Sequence, residues 1–143
     1  MQEHKLRFYK LFKDSFVREA YLDNLNCFNL RKYVAKFRCS DHKLEVETGR
    51  HRKQRLEERI CQICYQSVET ELHFLQECPL YTKLRSKYFG NIGNWSHILQ
   101  CKEKVMAYNL ANFLIKSCDL RKRMLDIRHG CFKPWICGIL GKN

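Results

Sequence analysis

The chain has 143 residues, of which 45% are hydrophobic and 29% are charged, a balance typical of one globular domain and not of a disordered segment. Only two prolines and six glycines interrupt it, so we expect helix to dominate. The N-terminus has no apolar secretion segment, and no stretch approaches the roughly 18 apolar residues of a membrane span. These features predict an intracellular protein, nuclear or cytoplasmic, with no membrane partner.

The net charge is strongly positive, at +12 from 27 basic and 15 acidic residues. A positive field of this size favours polyanions, above all the phosphate backbone of RNA or DNA, although a solvated basic surface without any partner is the alternative. The densest basic segment lies directly before a cysteine motif. It predicts nucleic-acid contacts through Arg50, Arg52, Lys53, Arg55 and Arg59.

Two helices are predicted in the N-terminal part of the chain. Apolar residues recur at steps of three and four over residues 3–23, and again over residues 29–38 after a break at 24–26. The apolar face of the first helix comprises Leu6, Tyr9, Phe12, Phe16 and Ala20, and that of the second comprises Leu30, Tyr33, Val34 and Phe37. We expect the two helices to pack as a hairpin, with the first apolar face in the core.

The segment that follows has two possible structures. Leu44 and Val46 alternate with charged residues before Gly49, which indicates either a short strand or the last turn of a helix that ends at this glycine. Either structure is compatible with a helical domain, because the strand would form at most one short pair.

Residues 61–78 contain four metal-ligating side chains, namely Cys61, Cys64, His73 and Cys78. Zn²⁺ takes three thiolates and one imidazole at tetrahedral corners, and the Cys-x-x-Cys gap allows one tight turn to present both sulfurs to one ion. The spacing predicts a structural zinc knuckle, since four protein ligands leave no position for a catalytic water. Two alternatives stay open: the thiols are simply buried or free, or His97 and Cys101 complete a site with Cys61 and Cys64.

Helices are predicted again after the cysteine motif. Pro79 suits the first turn of a helix that continues to about residue 89, and a break follows at 90–94. Another helical stretch begins at Trp95, and a longer helix is predicted over 105–127. We therefore predict one mainly α domain over residues 1–127, a small helical domain built around a CCHC zinc knuckle. Residues 128–143 are expected to form a poorly ordered tail, with a docking segment as the alternative.

The other cysteines are not expected to form disulfides. The chain has nine cysteines, an odd number that does not fit a closed disulfide framework, and the expected compartment is reducing. Those outside the motif are predicted to pack as small apolar side chains. Before the predicted tail they are Cys27, Cys39, Cys101 and Cys118.

The ligand motif lies within a longer pattern made of residues 37–50, 59–64 and 69–81. This pattern resembles the C-terminal CCHC zinc-finger region of non-LTR (LINE-type) retrotransposon reverse transcriptase polyproteins. Its most specific part is the ligand spacing with Glu71, Phe74 and Tyr81 around it. The resemblance covers about residues 4–90, and it implies that the four ligands hold structural zinc. It also implies that the module contacts element RNA or target DNA beside a polymerase located upstream.

Catalytic activity is not expected from this sequence. No paired-aspartate motif of a polymerase occurs, and a restriction-like nuclease, which some elements of this family carry, needs clustered carboxylates and a lysine around Mg²⁺. Asp41 and Lys43 form an acid-x-Lys pair, but no proline precedes Pro79 to supply the Pro-Asp partner. We predict a non-catalytic, zinc-binding nucleic-acid module. The alternative is a helical, zinc-stabilised module for protein–protein interaction.

Overall fold

A computed structural model describes residues 4–91 and 93–130 of the chain. Within these ranges the α-helices are α1 Ala20–Asn24, α2 Phe28–Arg38, α3 Glu45–His51, α4 Thr82–Phe89, α5 Trp95–Gln100 and α6 Lys104–Arg128. Short 3-10 turns at Tyr9–Leu11, Leu56–Glu58 and Pro79–Tyr81 and a π-helical turn at His73–Glu77 complete the secondary structure. The only β pairing in the described ranges is an antiparallel bridge between Ile60 and Val68. The mainly helical fold class is confirmed.

The longest helix, α6, forms the centre of the fold, and helices α1, α2, α4 and α5 all pack against it. Its buried face combines small and large residues, including Ala107, Leu110, Ala111, Phe113 and Leu114. The alanines let neighbouring helices approach closely, and the larger side chains fill the spaces between them. The long helix predicted over 105–127 is therefore confirmed, with its ends at Lys104 and Arg128.

A row of aromatic rings runs through the core from the N-terminal segment to α4. Phe8 lies 5.6 Å from Phe37 of α2, measured between ring centroids, and Phe37 lies 5.6 Å from Phe74. Phe113 of α6 continues the row at 5.9 Å from Phe74 and 5.1 Å from Phe89. The rings meet in tilted or edge-to-face geometry, which adds about 0.5–1.5 kcal/mol per pair beyond simple burial. Because Phe74 lies between two motif ligands in the chain, this row fixes the cysteine motif against the helices.

The predicted helix over residues 3–23 is wrong. The structure has one 3-10 turn early in this segment and helix α1 only at its end, and Phe16 is fully exposed instead of packed. Glu19, directly before α1, has an extended backbone, and Nη2 of the buried Arg38 donates to a Glu19 carboxylate oxygen at 2.5 Å. This long-range ion pair outweighs the local helical pattern. The second helix, predicted over 29–38, is confirmed as α2.

The segment before Gly49 is helical and not a strand, but its helix does not end at this glycine, because α3 continues to His51. The side chain of Arg59 lies across α3 at this point, and a Cβ on residue 49 would overlap its Cγ. The buried Arg59 guanidinium donates to the carbonyl oxygen of Val46 at 3.1 Å and to that of Gln54 at 2.6 and 3.1 Å. Gly49 therefore gives Arg59 the room to join α3 to the chain that follows it.

The C-terminal helices follow the predicted order. Pro79 begins a 3-10 turn that leads into α4, and Gly90 ends that helix with a positive φ of 57°. Asn94 caps the start of α5 with its side-chain oxygen. Residues 131–143, most of the predicted tail, lie outside the described residues, so the domain boundary stays a prediction. None of the described helices combines the length and apolar character needed to cross a membrane.

Substitution of Gly49 by alanine tests the close approach of Arg59. Alanine favours a helix interior by about 1 kcal/mol relative to glycine, but displacing the buried arginine weakens hydrogen bonds worth roughly 1.5–3 kcal/mol each. We expect a net loss of about 1 kcal/mol in the free energy of unfolding, measured by chemical denaturation. Gly93→Ala is the control, because a Cβ there meets no atom within 4 Å. Equal effects of both substitutions would contradict the steric role of Gly49.

Candidate metal centre

The first two predicted ligands lie in a tight turn that the isolated β bridge closes. The backbone N–H of Cys61 donates to Ser67 O, and that of Tyr65 donates to Cys61 O, both at 2.9 Å. Tyr65 has a positive φ of 56°, a conformation that reverses the chain directly after Cys64 and that non-glycine residues seldom adopt. The turn therefore directs the sulfurs of Cys61 and Cys64 to the same side of the chain.

The other two ligands are separated by the π-helical turn. The backbone N–H of Cys78 donates to His73 O at 2.9 Å, an i→i+5 bond that closes a wider ring than an α-helical turn. In an α-helix, residues five positions apart point about 140° away from each other. The wider turn and the extended backbone at Cys78 bring both side chains to one site. Local insertions of this kind occur frequently at functional sites.

The ligand atoms of Cys61, Cys64, His73 and Cys78 all lie within 4.8 Å of one another. Zinc bond lengths of about 2.3 Å to sulfur and 2.0 Å to nitrogen place tetrahedral ligand atoms roughly 3.5–3.8 Å apart. The Sγ of Cys64 already lies 3.4 Å from the Nε2 of His73. Three of the four ligands are buried and Cys64 is half-buried, so the site is closed on most sides. The donor set therefore fits a four-coordinate metal such as zinc.

The hydrogen bonds of His73 favour coordination through Nε2. Its Nδ1 lies 2.8 Å from Ser67 Oγ and 3.1 Å from a carboxylate oxygen of Glu77. A proton on Nδ1 can be donated to the carboxylate, which leaves the lone pair of Nε2 directed at the cysteine sulfurs. Metal-ligating histidines ordinarily have such a partner on the second nitrogen, because it fixes the tautomer and the ring orientation.

The thiols of the site interact directly with each other. The hydrogen bond with Cys78, together with burial, raises the pKa of Cys61 well above its ordinary value, and the same bond lowers the pKa of Cys78. Without a metal, Cys61 therefore holds its proton more firmly than Cys78 does. Zinc binding would release such protons, so zinc affinity should fall as the pH falls and protons compete for the sulfurs.

A buried carboxylate joins the metal site to α6. Glu69 is 1% exposed, and Arg121 donates to both of its oxygens, at 2.8 and 2.7 Å. The backbone N–H of Glu45, at the start of α3, donates to the same carboxylate at 2.8 Å. Cys61 Sγ lies 3.8 Å from Glu69 Oε1. This one side chain therefore contacts a metal ligand, α3 and the central helix.

Glu71 is the centre of a second buried hydrogen-bond cluster. It accepts hydrogen bonds from Ser40 Oγ at 2.8 Å and from Arg7 Nη2 at 3.1 Å, and His42 Nε2 lies 3.0 Å from it. Burial opposes ionisation of this carboxyl, but His42 and the nearby arginine charge leave the pKa of Glu71 below its ordinary value. No buried ion pair of Glu69 or Glu71 was predicted from the sequence. The sequence feature that could have indicated such pairs is the presence of two glutamates close to the ligands in a strongly basic chain.

The C-terminal end of α6 also holds the turn of the first two cysteines. Arg128 donates to the carbonyl oxygens of Gln62 and Ile63, the second at 2.8 Å. Its guanidinium carbon lies 5.1 Å from the ring centroid of Tyr65, within cation–π range. Arg128 therefore satisfies backbone carbonyls between Cys61 and Cys64 and covers the ring that follows them.

Four of the five predicted nucleic-acid-binding residues lie at the surface. Lys53 and Arg55 are exposed in the turn that follows α3. Arg50 donates to Glu47 Oε2 through Nε at 3.0 Å and through Nη2 at 2.8 Å. Arg52 pairs with Glu45, the first residue of α3. The side chains of Arg50 and Arg52 stay 26% and 49% exposed, so both anchored guanidinium groups reach solvent.

Arg59, the fifth of these residues, is in the interior. It is 4% exposed, and its guanidinium donates to backbone carbonyls within the domain. Its charge therefore contributes to the structure of the α3 region and is not placed to meet a phosphate. We define the basic surface as Arg50, Arg52, Lys53 and Arg55.

The remaining thiols only partly match their predicted packing. Cys101 is buried, and burial raises its pKa to about 12. Cys39 is half-buried, whereas Cys27 and Cys118 are exposed, so the prediction that the cysteines outside the motif pack as small apolar side chains is wrong for these last two. Among the described residues, the four-ligand group is the only cluster of its kind, and His97 and Cys101 do not belong to it.

Comparison with protein-family models, with curated proteins and with solved structures gives no match. The class of the protein therefore follows from its fold and site. It is a small, mainly helical domain with a Cys-Cys-His-Cys group that can hold a metal such as zinc.

Zinc content can be counted directly by intact mass under native conditions. We expect one zinc per chain in the wild-type protein and none, or weakly held zinc, in Cys78→Ser, because a tetrahedral site needs all four ligands. The matched control is Cys118→Ser, which changes an exposed thiol outside the cluster. Removal of zinc by a chelator should also lower the melting temperature, since binding and folding are coupled. A properly folded, reduced protein without zinc would contradict the metal site.

The contact of Arg128 with the cysteine turn predicts its effect on metal release. Loss of these hydrogen bonds in Arg128→Gln should cost about 1 kcal/mol of local stability, which corresponds to roughly fivefold faster zinc transfer to a chelator. Arg123→Gln is the control, because Arg123 pairs with Asp119 on its own helix at 3.2 Å. Equal transfer rates in the two variants would show that α6 does not restrain the turn.

Proposed function

We propose that this chain is a nucleic-acid-binding module stabilised by structural zinc, without catalytic activity of its own. It is comparable to the C-terminal CCHC region of non-LTR retrotransposon reverse transcriptase polyproteins, and it would act in the nucleus or cytoplasm. The observation that carries the proposal is the closed four-ligand group, whose atoms lie within 4.8 Å of one another, directly after a basic surface in the chain. A four-ligand site has no open position for substrate, so its metal would cross-link the fold.

The basic surface is joined to the metal site through the interior. Arg59 binds the carbonyl oxygen of Gln54, which directly precedes Arg55, and its own carbonyl oxygen accepts from the N–H of Glu69 at 2.9 Å. Glu69 in turn lies beside Cys61. Zinc binding would therefore fix the backbone that carries Lys53 and Arg55. Pre-ordered cations bind phosphates at a lower entropic cost than cations on a mobile loop.

The anchored arginines are well suited to phosphate. A guanidinium has five N–H donors, and Arg50 uses its Nε and Nη2 on Glu47. The other edge of the Arg50 guanidinium can donate to a phosphate oxygen while the Glu47 carboxylate holds the side chain in place. Such contacts recognise the backbone and carry no direct sequence information, so RNA and DNA are both candidate partners.

The acidic residues considered for a nuclease pair with basic side chains. Oδ2 of Asp41, from the acid-x-Lys pair, lies 3.6 Å from Nζ of Lys36, and Asp119 pairs with Arg123 on α6. Within the described residues, no carboxylate belongs to a group of three or more possible metal ligands. A nuclease would need such a group around Mg²⁺.

Salt dependence of binding to a short RNA and a short DNA tests the proposal. Log Kd should vary linearly with log salt concentration, and Lys53→Gln with Arg55→Gln should reduce the slope by about 1.4–1.8, because each lost contact accounts for 0.7–0.9. The control has the same change in charge, Lys116→Gln with Arg123→Gln, at exposed positions of α6. Equal slopes in the two double variants would exclude the basic surface, and undetectable binding at low salt would exclude the function.

A protein-docking module is the second candidate, favoured by an apolar cleft between α2 and α6. The cleft has a volume of about 430 Å³, and its apolar walls include Phe37, Leu44, Phe74, Leu114 and Leu125. A cleft of this size can accept side chains of a partner protein. Binding through it would depend weakly on salt and would not respond to substitutions in the basic surface. The same titrations therefore distinguish the two candidates.

A further inference from the structure

Arg85, on α4, lies against the last ligand of the metal site. Its Nη2 donates to the carbonyl oxygen of Cys78 at 2.6 Å and to Thr82 Oγ1 at 3.1 Å, and these two bonds fix the position of the guanidinium. Covalent geometry keeps the carbonyl oxygen and the Sγ of one cysteine within about 4.5 Å, so Nη2 lies no more than roughly 7 Å from the Cys78 sulfur. Arg85 is therefore close enough to this ligand for a direct electrostatic interaction.

The charge of Arg85 has no carboxylate partner among the described residues. The side chain is half-buried, and its Nη1 has almost no contact with solvent and no hydrogen-bond partner. Its two acceptors are a carbonyl and a hydroxyl oxygen, neither of which carries a formal charge. A cation that is partly removed from water is stabilised by a nearby negative charge. The surroundings of Arg85 therefore favour a negative group beside Cys78.

The four ligands would provide that negative charge when they hold zinc. Three thiolates and a neutral imidazole exceed the two positive charges of Zn²⁺ by one negative charge. Two other arginines lie near the ligands, but Arg121 is already paired with Glu69, and Arg128 is exposed, so water screens its charge. Arg85 differs from both because it is half-buried and lacks a carboxylate partner.

We propose that Arg85 is the charge partner of the zinc-loaded site, a positioning residue that offsets the negative charge of the three thiolates. This inference rests on the structural zinc of the proposed function and is independent of nucleic-acid binding. The hydrogen bonds to Cys78 and Thr82 hold the guanidinium in place, and its positive charge then raises the affinity for zinc. Arginine suits this role because its planar group keeps its charge while it donates to backbone oxygens.

Competition for zinc between the full chain and a chelator tests the role of the charge. Arg85→Gln keeps a donor for the carbonyl oxygen of Cys78 but removes the charge, and it should weaken zinc binding about tenfold or more. Arg85→Lys keeps the charge and should stay within about threefold of the wild type. Lys87→Gln is the matched control, with the same change in charge at an exposed position on the other side of α4. It should bind zinc as the wild type does.

Cobalt(II), which can replace zinc among thiolate ligands, gives a second readout that a purely structural role would not change. A nearby cation lowers the energy of the sulfur electrons. Its removal in Arg85→Gln should therefore move the sulfur-to-cobalt charge-transfer band to longer wavelength. Arg85→Lys and Lys87→Gln should leave the band at its wild-type position.

Equal weakening by Arg85→Gln and Arg85→Lys would show that Arg85 only holds the backbone, and it would overturn the proposal. Wild-type affinity and spectrum in Arg85→Gln would overturn it as well. A wild-type chain that binds neither zinc nor cobalt would reject the metal site and this proposal together. The expected losses in Arg85→Gln, found in a chain that binds no nucleic acid, would support this proposal while the proposed function fails.

Discussion

The buried pair of Glu69 and Arg121 is the interaction on which the rest of the structure depends. Glu69 is 1% exposed, and it meets a guanidinium of the central helix, a backbone N–H at the start of α3 and a metal ligand. Removing one partner of such a pair leaves an uncompensated buried charge and typically costs 3–5 kcal/mol. The position of the metal site relative to α6 is therefore determined electrostatically as well as by packing.

The metal site and the helical core form one continuous structure. Phe74 stands one position after His73 and lies between Phe37 and Phe113 in the aromatic row, while Arg85 donates to the carbonyl oxygen of Cys78 at 2.6 Å. Coordination of zinc would restrain the ligands at one end of this arrangement, and the rings would restrain them at the other. Because binding and folding are then coupled, the stability of the core would report on the occupancy of the site.

The arginines divide between two physical roles. Arg7, Arg38, Arg59, Arg121 and Arg128 each bind carboxylates or backbone carbonyls of distant segments. Their planar groups with several donors suit this role better than lysine ammonium groups do. A net charge of +12 therefore does not measure the cations available to a partner. The proposed polyanion contacts rest on the smaller set that forms the basic surface, at the end of α3 and in the turn after it.

Local order was determined by the sequence itself. The short spacing of Cys61, Cys64, His73 and Cys78 and the periodicity of α2 and α6 depend on residues near each other in the chain, so they could be predicted. The tertiary structure alone decided that α3 passes through Gly49, that Phe16 is exposed and that Arg59 is buried. Each of these depends on a partner far along the chain or on space left by another element. Local propensities are worth less than about 1 kcal/mol per residue, whereas a buried ion pair or a steric overlap is worth several.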